Sequence, residues 1–226
     1  QVITKLSPLL DCPRDASLAV VNAFVDASVY RSCVALQVQK LDTLLLHRAS
    51  HLKDWSCAVW SRLQEHRSNG LIKTLGVSVQ TPEELELALA KPDVGHIQMP
   101  YNVLDWRWDK SIPVIESVKT KRQLTIHVRS ALLQGLLTSG NAQHWLKARV
   151  NEPNVVIEWL DVNARETGCE SIADFCLRCV RSLNWIDGVV VGMETMQQLV
   201  ENIASFSREK MSEQNIRDLN RTRPKL

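Results

Sequence analysis

Along the chain, short and nearly continuous apolar runs alternate with longer stretches in which apolar side chains return every three or four residues. The first kind predicts strands buried on both faces, at residues 2–6, 43–47, 74–79, 96–101, 124–130 and 188–191. The second predicts helices at 15–36, 53–67, 82–89, 111–121, 172–182 and 196–206. Thr81-Pro82-Glu83-Glu84 marks one helix start: an N-cap, a proline in the first turn and a glutamate spaced for a capping box. Thr195 and Gln198 repeat that spacing before the 196–206 helix.

Strands that are apolar on both faces and separated by helices imply a parallel sheet. A doubly wound sheet would carry a glycine-rich turn after an early strand, and the sequence has none. A (β/α)8, or TIM, barrel instead gathers polar residues at the C-terminal strand ends. Lys5, His47, Ser78, Gln98, Arg129, Ser130 and Gly192 all fall at or near such ends. LDTLLLHR, residues 41–48, is the plainest case, since a run fit for burial breaks off in His47 and Arg48. An α/β TIM barrel is therefore the expected fold. Only six β/α units are legible where a closed barrel has eight. The chain opens directly in a strand, on Gln1 rather than methionine, so the first two units are expected to be absent from its front. Residues 1–206 are read as this incomplete barrel and 207–226 as a C-terminal tail.

At 226 residues, 45% apolar and 23% charged, the composition is that of one ordinary domain with a full core. A net charge of +2 offers no concentrated basic face, so neither nucleic acid nor a membrane surface is indicated as a partner. No run is read as a membrane span and the N-terminus lacks a secretory layout; a cytoplasmic protein is expected. Six unevenly spread cysteines fit free thiols of a reducing compartment. Cys176 and Cys179 have the spacing of half a zinc site or a redox pair. They also share one helical face with Ile172, Phe175, Val180 and Leu183, and no second ligand pair is present. Buried packing is the favoured reading and no metal is expected.

VITKL, LDTLLLHR, GLIKTLGVSV, HIQMPYNVLD, VRSALLQGLLTSG and VVVGMETMQQLVENI follow one another in an order and spacing that resembles the aldo-keto reductase family, NAD(P)H-dependent carbonyl reductases built on this barrel. The resemblance implies hydride transfer between a nicotinamide cofactor and an aldehyde, ketone or alcohol. A tyrosine donates the proton, a lysine lowers its pKa, a histidine hydrogen-bonds the carbonyl oxygen and an aspartate completes the tetrad. By the motif match Lys5 is the lysine and His47 the histidine. Taken singly, a strand-end lysine or a lone histidine is more often structural. The tyrosine and aspartate belong to the segment before Val2. Asp26 with Tyr30 is rejected as a substitute because both lie on a helix that packs on the barrel.

The same resemblance implies that Ser78 and Gln98 hold the nicotinamide carboxamide, although Val79 stands where the family usually has asparagine. Arg129 falls where many members stack an aromatic ring, and Ser130 and Leu132 follow the pyrophosphate. Gly192, Thr195, Gln198, Glu201 and Asn202 match the adenosine end, where capping is a compatible second role for Thr195 and Gln198. Glu194 near the ribose, in place of a basic residue, tilts the expectation towards NADH. Trp106, Arg107 and Trp108 follow a strand, where the rings either line a substrate site, such as one for a sugar derivative, or simply pack under a loop. The tail, with six basic and three acidic residues from 208 to 226, either folds over the barrel or is solvated. A non-catalytic nucleotide-binding or regulatory barrel is the alternative to an enzyme.

Overall fold

The computed structural model describes residues 1–225. They form two compact units, one of Gln1–Met99 with Pro113–Ile126 and the other of Pro100–Ile112 with the residues from His127 onward. The strands are parallel where their registers are resolved, and they are hydrogen-bonded in chain order, β1 to β6.

In the first unit β1 (Ile3–Lys5), β2 (Leu41–Leu46), β3 (Ile72–Ser78), β4 (His96–Pro100) and the start of β5 (Thr125–Arg129) alternate with α1 (Leu18–Leu36), α2 (Ala58–Ser68), α3 (Pro82–Leu89) and α4 (Ile112–Lys121). Five of the six residues of β2 are buried, because a central parallel strand is covered on both faces. Each expected strand and helix is present, α3 at its expected bounds and the others with shifted ends. The first helix begins at Leu18 rather than residue 15 because Ala16 N–H closes a turn onto Pro13 O. Residues 49–57 form two 3-10 turns instead of the start of a helix, and Trp55, Ser56 and Cys57 all take left-handed backbone angles. At α3, Thr81 accepts from Glu84 N–H as expected, but the Glu84 carboxylate reaches back to Gln80 N–H, one residue short of a full capping box.

The reading that no stretch could span a membrane needs correcting for α1, whose 19 residues are long and apolar enough by those measures alone. Its packing gives it another role. Val21, Val25, Ser28, Val29 and Cys33 are buried on one face, and α1 lies against α2. Asp26 near its middle receives two 2.7 Å hydrogen bonds from Arg62 of α2 and stands 2.6 Å from His66 Nε2. Tyr30 is 54% exposed, edge-on to the His66 ring, so Asp26 and Tyr30 belong to this helix pair.

The Arg62 hydrogen bonds, with His66 adding to them, hold the Asp26 carboxyl below its usual pKa. A depressed pKa contributes stability that is complete above the unfolded value, about 4, and is lost as pH falls through the lower folded value. Asp26→Asn is therefore expected to destabilise the protein by about 2 kcal/mol near neutrality, since it leaves a buried imidazole and a guanidinium without their anion. Denaturation at a series of pH values should show the gap to the parent shrinking in acid; a gap constant from neutrality down to about pH 3 would sink the assignment.

The second unit contains the end of β5, α5 (Ala142–Lys147), α6 (Pro153–Glu166), α7 (Ile172–Arg181), β6 (Gly188–Val189), α8 (Met196–Ser207) and α9 (Glu213–Thr222). Its core gathers Trp145, Val156, Leu160, Phe175, Cys176 and Leu219, among others. Cys176 and Cys179 are both in that cluster, and burial pushes both thiols up, Cys179 to about 12. They are packing side chains of α7, as the helical spacing indicated. The stretch read as a tail carries α9, which buries Leu219 and packs Ile216 on the core. Past it, Arg223 pairs with Asp109 at 2.6 Å with only 6% of its side chain exposed, tying the segment to the loop after β4.

Candidate active site

Register decides which side chains share a face. Paired residues of neighbouring strands project to the same side, and along a strand the side alternates. Lys5 pairs with Leu45, Leu45 with Gly76 and Gly76 with His96. Two residues onward, Ser78 pairs with Gln98, while His47 lies two beyond Leu45, just past the end of β2. Lys5, His47, Ser78 and Gln98 thus sit at the C-terminal ends of four successive strands with a common facing, His47 by extension of the alternation. His47 is exposed and Lys5 is half-buried. Ser78 and Gln98 are 2% and 6% exposed. Among the described residues neither of their side chains is hydrogen-bonded to another, so both polar groups are available to a planar amide. Val79 is buried and contributes no side-chain polar atom.

In the second unit, Arg129 ends β5 and is half-buried, and desolvation lowers its pKa. Its Nη1 is 3.5 Å from Ser130 Oγ. Ser130 takes a left-handed angle, and the turn it opens closes with Leu133 N–H on Ser130 O. Leu132 packs against the core cluster, so its side chain is structural and any ligand contact there falls to backbone. Gly192 is exposed, with open space where a Cβ would stand. At α8 the full capping box is present: Thr195 Oγ1 accepts from Gln198 N–H at 3.2 Å and Gln198 Oε1 accepts from Thr195 N–H at 3.3 Å. The same oxygen also takes Glu194 N–H at 2.7 Å, so the box leaves Met196 and Gln197 as the first-turn donors. Glu201 accepts from Gln197 on the exposed side, and Asn202 lines an apolar cavity of about 240 Å³ with Val189, Leu199, Ile203 and Phe206.

The loop after β4 separates into structural and exposed parts. Trp108 is fully buried and its indole N–H donates to Asp105 at 3.2 Å, which is packing under a loop and leaves no ring face for a ligand. Arg107 makes a two-point ion pair with the same carboxylate, at 2.9 and 2.7 Å. Trp106 alone of the three is a half-exposed ring. Tyr101 is buried edge-on to Trp185 at 5.1 Å, and burial raises its pKa, so it is a core phenol.

A family model described as the aldo/keto reductase family matches residues 2–223. The chain belongs to that family. Among curated proteins, an uncharacterized oxidoreductase of Bacillus subtilis strain 168, YqkF, is 20% identical over 204 residues, covering 88% of this chain and 65% of the relative. The chain therefore spans about two thirds of that relative's length. Among solved structures, an aldo-keto reductase of Bacillus halodurans in its holo form superposes with a TM-score of 0.75 at 18% identity, over 98% of this chain and 71% of that one. The glycerol dehydrogenase of Gluconobacter oxydans gives 0.70 at 19% identity, over 89% and 64%. These likenesses establish the aldo/keto reductase fold. The match extends through α9, beyond the residue 206 at which the sequence alone suggested a boundary.

What the sequence reading of this aldo/keto reductase chain missed is a cavity of about 520 Å³ in the first unit. It is bordered by the loop after β1 and the turns after β2, and lined by Arg14, Arg48 and His51 among others. The visible signal was HRASH, residues 47–51, which sets a second histidine one turn beyond His47.

Proposed function

We propose that the protein containing this chain reduces an aldehyde or ketone, or oxidises the corresponding alcohol, with NAD(P)H as hydride donor. The observation that carries this reading is the common facing of Lys5, His47, Ser78 and Gln98 at four successive C-terminal strand ends, the side of a β/α barrel on which catalytic groups collect. When bound, the reduced nicotinamide supplies hydride to the carbonyl carbon. Ser78 Oγ and the Gln98 amide, buried and uncommitted, suit the carboxamide and fix which ring face is presented. The His47 imidazole hydrogen-bonds the carbonyl oxygen as charge develops on it. The Lys5 ammonium favours the phenolate form of a neighbouring tyrosine and so eases delivery of the proton. Arg129 and Ser130, with the backbone at Leu132, serve the nicotinamide and pyrophosphate; Gly192, the α8 N-terminus, Glu201 and Asn202 serve the adenosine end.

The tyrosine and aspartate of the tetrad are proposed to come from two further β/α units. Exposed apolar side chains support this at both outer strands. Val2 and Ile3 at the start of β1 and Val20 and Val34 on α1 are uncovered in the first unit, as are Val190, Met193, Val200 and Ile203 around β6 and α8 in the second. Surfaces of this kind are seldom left to water. Neither tyrosine within the chain replaces the missing one, since Tyr30 sits on α1 and Tyr101 is core.

Cofactor choice is tested by thermal shift. Because Glu194 is acidic at the proposed ribose position, NADH is expected to raise the unfolding midpoint more than NADPH at equal concentration, by up to about 2.7 kcal/mol of stabilisation at a hundredfold excess over Kd. Stabilisation by NADPH alone would overturn the NADH preference. Saturable binding of either cofactor with no turnover across a broad carbonyl panel would sink the enzymatic reading and leave a nucleotide-binding barrel.

A further inference from the structure

The cavity that follows β1 and β2 has a composition no catalytic assignment above uses. At about 520 Å³ it is of small-molecule size. Arg14 and Arg48 line it, and among the described residues neither guanidinium has a hydrogen bond or ion pair. His51 also lines it with a side chain only 3% exposed, and its Nδ1 is buried without a partner. An orphaned buried ring nitrogen carries a desolvation cost that a ligand atom would remove. The opposing charge is Asp54, which accepts from Ser50 Oγ at 2.7 Å and stands 4.0 Å from His51 Nε2. Two unpaired guanidiniums against one engaged carboxylate leave the cavity a net cation. The walls between these groups are apolar: Leu9, the 71% exposed Leu10 and Trp55, whose indole N–H is fastened to Pro13 O at 2.7 Å.

We propose that this cleft binds a small organic anion, its carboxylate or phosphate head held by Arg14, Arg48 and His51 and its apolar body lying against Leu10 and Trp55. Arginine suits either head through paired N–H donors. The cleft's two walls are continuous in chain with the proposed catalytic pair: Pro8 is three residues after Lys5, and Arg48 follows His47 directly. As the subsite that selects anionic carbonyl substrates, the cleft rests on the catalytic reading of that pair. As an anion site it does not.

Calorimetric titration of the whole protein with benzoate and with inorganic phosphate, in chloride buffer of fixed ionic strength, tests the site directly. Saturable binding of one equivalent is expected. Arg14→Ala and Arg48→Ala should each weaken it about tenfold or more, the scale of a lost charge-assisted hydrogen bond. Tighter benzoate supports a carboxylate ligand and tighter phosphate a phosphorylated one. His51→Phe should weaken both; if that variant does not fold, the two surface arginine variants carry the test alone. Absence of saturable binding, or binding that neither arginine variant changes, overturns the proposal. Turnover of 4-carboxybenzaldehyde against benzaldehyde separates the two readings. Preference for the carboxylated aldehyde that falls in the arginine variants supports the subsite. Reduction of both aldehydes equally, without anion binding, overturns the cleft and leaves the enzyme. Anion binding with no reduction of either sinks the catalytic reading and leaves the site.

Discussion

Lys5→Met, made in the protein that supplies the tyrosine and aspartate, is expected to lower carbonyl reduction by at least about a hundredfold, the lower end of what a positioned proton donor contributes. Methionine keeps the unbranched stem and removes only the charge, and Lys5 lies near the end of a short strand that is half-buried, so the fold should tolerate the change. The loss should be larger for alcohol oxidation near neutral pH, because that direction needs phenolate as the base and the missing ammonium raises the phenol's pKa. Steady-state rates in both directions, with the melting midpoint as a control for folding, check this. A fall of less than about threefold in kcat at an unchanged midpoint would remove Lys5 from the chemistry. The design also separates a catalytic lysine from a snorkelling one, since a purely structural lysine would not distinguish the two directions.

Strand by strand, the sequence carried most of the first unit. LDTLLL and GLIKTLGVSV are apolar runs with polar residues at one end, and that pattern is legible because a parallel strand buried on both faces leaves only its ends free to be polar. Registers were not legible, and they are what bring Lys5, His47, Ser78 and Gln98 to a common facing; hydrogen-bond pairing is a property of two strands at once. The turns at 49–57 were also hidden. Trp55, Ser56 and Cys57 lack the glycine or asparagine that usually announces left-handed backbone, and their conformation is held from outside, in part by the indole bond to Pro13.

The second unit was read less well for a different reason. Helix α6 does carry its signals, a proline at its first position and Val156, Leu160 and Ala164 at four-residue spacing, but the exposed Val155 interrupts the polar face and blurs the period. The tail is charged enough to suggest solvation, yet Leu219 and Ile216 suffice to seat α9 on the core, and Arg223 finds Asp109 more than a hundred residues earlier. Pairings at that separation leave no local trace. Trp108 shows the converse limit: its neighbours Trp106 and Arg107 resemble a binding loop in sequence, and only burial reveals that Asp105 has engaged both Arg107 and the Trp108 indole.

Gly76→Ala is expected to cost about 3 kcal/mol or more, placing it among the most damaging single changes in the first unit. Gly76 sits in the middle of β3 with ordinary strand angles, so conformational freedom is not what the position requires. Space is. A Cβ there would stand 2.3 Å from His96 O and 2.4 Å from Leu45 Cδ2. The leucine can rotate away, but the carbonyl belongs to the neighbouring backbone and moves only if β3 and β4 part. That displacement would travel two residues along the register to Ser78 and Gln98, which pair directly. For a chain of this length the melting midpoint should fall by about 6–12 °C. Cofactor affinity should fall further than the stability loss explains, because Ser78 and Gln98, the proposed carboxamide ligands, would lose their alignment. Gly140→Ala is the matched control, with nothing within 4 Å of its added methyl and an exposed position. A Gly76→Ala protein that melts with the control and binds NAD(P)H as well as the parent would show that β3 and β4 are not held at the separation on which the proposed site depends.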